Sequence, residues 1–136
     1  MPEALGKTFP FQPESWIKTE YLETIPFKGE EKITVSTQEF NAVCPFSGLP
    51  DFGELVLVYL PEGKIVELKS LKYYLTSFRD VGIYQEMAAQ RIYRDFQKIV
   101  EPRKLYLKLT YRSRGGIDCV VEKGELISQL PRPMPA

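Results

Sequence analysis

Cys44 and Asp51 are the residues whose types and spacing point most directly to chemistry. Between them runs "CPFSGLPDF", a stretch dense in proline, glycine and serine that reads as loop. A cysteine reacts as its thiolate, so a catalytic one needs partial exposure and an acid–base partner close by. Asp51 is near enough in sequence to fold back toward the sulfur. The plainer alternative makes Cys44 a small apolar filler and Asp51 a turn cap. The run of conformationally restricted residues between them counters that reading, and on residue chemistry alone the two stand level. The chain has no histidine. That excludes Ser-His-Asp and Cys-His catalysis and leaves proton transfer to Asp, Glu, Lys, Tyr or Cys.

Three further groups carry charge in suggestive places. In "ELKSLKYY", residues 67–74, Lys69 and Lys72 share one helical flank and could grip phosphate, although lysines on a solvated helix face are the commoner case. Glu86, after Gln85 in "YQEMAAQRIYRDF", either favours a helix N-terminus or accepts hydrogen bonds from the edge of a heterocycle. In "RSRGG", residues 112–116, Arg112 and Arg114 stand beside Gly115 and Gly116, a turn suited to an anion or simply to a hairpin. Cys119, in an alternating strand, reads as core.

The elements that must position these groups follow from periodicity. Residues 1–20 hold several prolines with little pattern and read as an extended arm; residues 21–25 are a candidate short strand. Strands are expected over 32–38 and in "ELVLVYL", 54–60, after which "PEGK" closes a hairpin. From Glu67 the period changes. Leu68, Leu71, Leu75 and Phe78 mark one buried helical face, and a second helix from Ile83 to Val100 buries Ala88, Ile92, Phe96 and Ile99 before Pro102. "KLYLKLTYR" and "GIDCVVE" supply two more strands, with 112–116 as their turn, and 128–136 reads as a flexible tail. The order strand, strand, helix, helix, strand, strand predicts an α+β domain over 21–127, with two helices on one face of a four-stranded antiparallel sheet. Such a sheet keeps open edges, so pairing with neighbouring subunits is expected.

Composition narrows the partners. Eighteen basic and eighteen acidic side chains cancel, so no bulk charge points to nucleic acid or a membrane. No run is long and apolar enough for a signal peptide or a span, and a cytoplasmic address is expected. Two distant cysteines form neither a disulfide scaffold nor a structural zinc site, and no metal is expected.

Taken together, "CPFSGLPDF", "VELKSLKYYL", "QE" at the head of the second helix and "RGGI" resemble QueF over about residues 20–122. These are NADPH-dependent nitrile reductases that convert 7-cyano-7-deazaguanine to 7-aminomethyl-7-deazaguanine for queuosine in tRNA, here of the short single-module type. The resemblance implies the tunnelling fold, in which subunits pack into oligomeric barrels with ligand sites at their interfaces. It implies Cys44 as the nucleophile that forms a thioimide and Asp51 as the acid that protonates the nitrile nitrogen. By the same matching, Val66, Glu67, Leu68, Gln85 and Glu86 meet the substrate, while Leu68, Lys69, Arg114 and Gly115 meet NADPH. One departure is visible: Gln85 stands where the family usually has histidine, and glutamine carries no proton at neutral pH. The chain is also similar to the archaeal QueF-like amidinotransferase, which would need no NADPH and would take ammonia and a tRNA-borne 7-cyano-7-deazaguanine through the same thioimide. A third alternative is a non-catalytic purine-binding scaffold on the same fold.

Overall fold

The computed structural model describes residues 1–127, and the expected tail, 128–136, lies outside the described residues. Six strands and two helices follow one another: β1 (Thr24–Pro26), β2 (Ile33–Val43), β3 (Pro50–Leu60), β4 (Lys64–Val66), α1 (Leu68–Thr76), α2 (Gln85–Val100), β5 (Lys104–Arg114) and β6 (Ile117–Gly124). β2, β3, β5 and β6 form one antiparallel sheet in that order. Alternation decides its faces. Leu55, Leu57 and Tyr59 of β3 and Leu105, Leu107 and Leu109 of β5 point inward and are buried. They meet Ala88, Ile92 and Phe96 of α2 in one core, each large apolar side chain contributing about 1.5–3 kcal/mol by burial. The expected α+β arrangement is therefore found, with the helices against this sheet.

Several local expectations are corrected. The loop after β2 is shorter than "CPFSGLPDFG", because β3 begins at Pro50 and takes Asp51 into the sheet opposite Ala42. Residues 61–63 do not close a hairpin of the main sheet. They lead into β4, which pairs with β1 in a separate two-stranded sheet. The tight turn between β5 and β6 is only Gly115 and Gly116, both at positive φ, +60° and +79°. Two successive positive values belong to a two-residue hairpin turn that glycine enters without steric cost. Cys119 is only partly buried and lies outside the core. The second helix starts at Gln85, two residues later than the pattern suggests.

The buried face of α1 also differs. Leu68 is 61% exposed and Leu75 half-buried, whereas Ser70, Leu71, Tyr74 and Phe78 are enclosed. The reason is polar. Glu67 caps the helix by accepting from the Ser70 and Lys69 N–H groups, at 2.8 and 3.1 Å, which fixes the first turn with Leu68 outward. One turn on, Tyr74 goes inward because its hydroxyl has a partner there: it donates to Asp95 Oδ2 at 2.7 Å. Asp95, itself buried, also accepts from Arg91 Nε at 2.8 Å and from the Thr19 hydroxyl at 3.0 Å. Three donors satisfy the carboxylate that would otherwise be costly to bury. They also tie the N-terminal segment to both helices, and Ile17 and Leu22 of that segment enter the core.

This network yields a first prediction. Tyr74→Phe removes one donor from a buried carboxylate and should lower stability by about 2 kcal/mol. The urea midpoint should fall with an unchanged slope; an unaltered midpoint would mean that the Tyr74–Asp95 bond contributes nothing net.

Candidate active site

Cys44 follows the last residue of β2, in the six-residue connection to β3. Its backbone N–H donates to Leu49 O at 2.9 Å and its carbonyl accepts from Gly48 N–H at 2.8 Å, closing the loop on itself. The loop aims donors at the sulfur. The Ser47 backbone N–H, above all, holds the thiol below its ordinary pKa; partial burial and the charge of Asp51 push the other way, while the Ser47 hydroxyl and the Phe46 N–H help to lower it. Phe46 N lies 3.4 Å from Sγ. The microenvironment therefore favours thiolate, as a nucleophilic cysteine requires.

Asp51 projects from the inner face of β3 and is 7% exposed. Its Oδ1 accepts from the Arg114 guanidinium at 2.7 Å, an ion pair between a buried carboxylate and a half-exposed arginine. Arg114 reaches it from the end of β5, two strand-ends brought level by the pairing of Gly53 with Tyr111. Tyr111 is a site residue that sequence reasoning missed. It continues the inward series Leu105, Leu107, Leu109, is 3% exposed, and its hydroxyl has no hydrogen-bond partner among the described residues. Burial pushes its phenol well above the ordinary range, with Asp51 adding to the effect and Arg114 opposing it. Glu86, in the first turn of α2, also acts on Tyr111 through its charge, so it belongs to the same neighbourhood.

Gln85 shows what its amide does where an imidazole was the family expectation. Its Nε2 donates to Leu109 O at 2.9 Å and to Cys119 O at 3.0 Å, binding the head of α2 to β5 and β6 at once. A primary amide has two N–H donors on one nitrogen, which a neutral imidazole lacks. Its Oε1 is buried without a partner among the described residues.

The other expected residues lie apart from this cluster. Val66, whose N–H donates to the Tyr59 hydroxyl at 3.1 Å, belongs toward the far end of β3 from Asp51. Leu68 lines a groove of about 310 Å³ between α1 and the β2–β3 face, together with Val35, Phe40, Lys72 and Arg79. Glu67 and Lys69 border a shallow basin of about 640 Å³ with Glu23 and Tyr73. Cys44 lines neither. One chain thus brings together Cys44, Asp51, Arg114, Glu86 and Gln85, and holds residues 66–69 elsewhere.

The fold and this cluster define a class: a small α+β domain presenting a loop thiol beside a buried carboxylate, the pairing that covalent catalysis uses. A protein-family description, QueF-like protein, matches residues 50–126. The chain belongs to the QueF family. It is 50% identical over 128 residues to the NADPH-dependent 7-cyano-7-deazaguanine reductases of Thermotoga petrophila and Thermotoga maritima, covering 93% of each chain. The protein of that name from Caldicellulosiruptor bescii is 51% identical over 108 residues, 77% of this chain and 82% of the relative. Among solved structures, the apo archaeosine synthase QueF-Like aligns with TM-score 0.62 and 26% identity over 71% of this chain and 95% of its own.

The electrostatics separate two roles of Asp51. Because its charge opposes the thiolate, Asp51→Asn should shift the pH midpoint of Cys44 alkylation by iodoacetamide downward, making the sulfur more reactive toward this small electrophile at neutral pH. An upward shift would show that the Asp51 side chain stabilises the thiolate rather than opposing it.

Proposed function

We propose that this chain reduces 7-cyano-7-deazaguanine to 7-aminomethyl-7-deazaguanine with NADPH, within queuosine biosynthesis. One observation carries the reading: a thiol-activating loop and a buried carboxylate share a site in a chain half identical to reductases of this substrate along nearly its whole length.

The Cys44 thiol gives its proton to the Asp51 carboxylate, and the sulfur adds to the electron-poor nitrile carbon. One π bond of the nitrile becomes a lone pair on nitrogen, which takes the proton back from Asp51. The product is a thioimide, and Asp51 is again a carboxylate. Arg114 holds that carboxylate in place between the two transfers, and the low exposure of Asp51 keeps water from competing for the proton. Glu86, Gln85 and the backbone of residues 66–68 are proposed to take the edge of the deazaguanine. NADPH would supply two hydrides for each nitrile, and each addition is matched by one proton drawn from solvent. Between the two reductions the Cys44 sulfur leaves as thiolate.

The residues suit such a cofactor. Among the described residues, nothing lies within 4 Å of an added Cβ at Gly115 or Gly116 in the turn. Arg114 stands beside it with donors left over from Asp51, and exposed Lys69 adds a point charge. The placement of Lys69 and Leu68 away from Arg114 supports a site built from two copies. We therefore propose that subunits join through the open β2 and β6 edges into an oligomeric barrel, so that residues 66–69 of one copy face Cys44 of another. The second reading, amidino transfer from ammonia to tRNA-borne nitrile, draws on the likeness to the archaeosine synthase structure. The higher identity to the reductases decides against it.

Protein mixed with 7-cyano-7-deazaguanine should gain the ligand's mass covalently, and Cys44→Ala should not. NADPH absorbance should then fall with the free base as sole substrate. Flat absorbance with amidine forming on tRNA would establish the second reading, and ligand binding without an adduct would leave only a scaffold. Asp51→Asn should slow adduct formation by roughly two to four orders of magnitude. Subunit sharing has its own test. Refolding Cys44→Ala together with Lys69→Glu, each inactive alone, should restore about a quarter of the sites. No recovery would mean that every site lies within one copy.

A further inference from the structure

We propose that residues 9–12 are a positioning element for the nucleophile: the N-terminal segment clamps the Cys44 loop and holds its N–H donors on the sulfur. The proposal rests on Cys44 being the reactive thiol.

The Cys44 loop has little to hold it by burial. Phe46 is 80% exposed and Leu49 52%, so its two large apolar side chains stand outside the core. Loops with few buried contacts open at low free-energy cost, yet donors on a sulfur must stay in place to be useful. The N-terminal segment supplies what burial does not, from two sides. On one side, Phe9 N–H donates to Ser47 O at 2.8 Å. Ser47 lies in the same turn as Phe46, whose N–H donates to Cys44 Sγ at 3.4 Å, and its own N–H and hydroxyl help to lower the thiol's pKa. Gly48 follows it at φ +76°, and the Phe9 carbonyl sits where a Cβ on Gly48 would stand. Only glycine admits the arm this closely.

On the other side, Gln12 joins a strap of parallel bridges. Its N–H donates to Asp80 O at 2.7 Å, and its carbonyl accepts from Gly82 N–H at 2.9 Å. The same strap bonds Val43, the residue before Cys44: Val43 N–H donates to Val81 O at 3.0 Å, and Ile83 N–H to Val43 O at 3.1 Å. The Phe11 ring covers Gly82, filling the space of its missing side chain. The loop is therefore gripped at Ser47 directly and at its β2 root through residues 80–83. The segment is anchored in turn by Thr19 and Arg91 on the buried Asp95. Residues 9–12 act on the loop through Ser47 and through the strap that holds Val43, so the role is positional.

Phe9→Pro in the full chain removes the donor to Ser47, while Phe9→Leu keeps it. Phe9→Pro should shift the midpoint of Cys44 alkylation upward, toward an ordinary thiol, and slow covalent uptake of 7-cyano-7-deazaguanine about tenfold. Hydrogen exchange in residues 44–49 should quicken, with melting temperature near that of the parent; Phe9→Leu should match the parent throughout. Phe11→Ala, which loosens the segment without altering the Phe9 backbone, should show the same signs in weaker form and stands in if Phe9→Pro folds poorly. Parental alkylation midpoints in both Phe9→Pro and Phe11→Ala would overturn the proposal. If the parent takes up no nitrile while the midpoint still shifts, the functional reading fails and the clamp stands.

Discussion

The Asp51–Arg114 pair is the interaction around which this end of the molecule is arranged. A carboxylate carried inward by strand alternation at a 7%-exposed position is expensive unless a charged donor meets it. The donor comes from 63 residues later, at 2.7 Å. To deliver it, β5 must run past Tyr111 to Arg114, slip register there, and turn back at once through Gly115 and Gly116. The sheet end that results carries Asp51, Tyr111 and Arg114 together, with the head of α2 bonded across it by Gln85. Cys44 enters from the neighbouring strand. Fold and chemistry thus share a single constraint.

Much of this is legible in the sequence. The alternation of β3 and β5 and the apolar stripe of α2 are strictly local patterns, and the sheet and core follow them closely. Cys44 and Asp51 could be singled out because a short restricted loop joins them. What could not be read depends on partners far away in the chain. Tyr74 turns inward for Asp95, and Leu68 outward because Glu67 caps the helix, which a hydrophobic periodicity cannot register. β4 pairs with β1 across the whole of β2 and β3. Tyr111 carries no motif of its own; only continuing the inward alternation of β5 to its end would have found it. The N-terminal segment, patternless by composition, is held by backbone hydrogen bonds, to which side-chain patterns are blind.

The separation of the expected ligand residues follows from the same architecture. β3 carries the chain away from Asp51 into β4 and α1, so that Leu68 lines a groove against β2 and β3, Glu67 and Lys69 border a basin near Glu23, and Cys44 lines neither. Gln85 fits this division of labour. Engaged with two backbone carbonyls, its amide fixes the helix that carries Glu86.

The central claim is that the Cys44 sulfur bonds a nitrile carbon while Asp51 serves the nitrogen. A crystal structure of the protein after incubation with 7-cyano-7-deazaguanine, without NADPH, tests it most directly. Continuous density from Cys44 Sγ to the former nitrile carbon, with an Asp51 oxygen in hydrogen-bond range of the imide nitrogen, is the result this account requires. A base held with its nitrile intact and remote from Cys44, or joined to any other side chain, would contradict it.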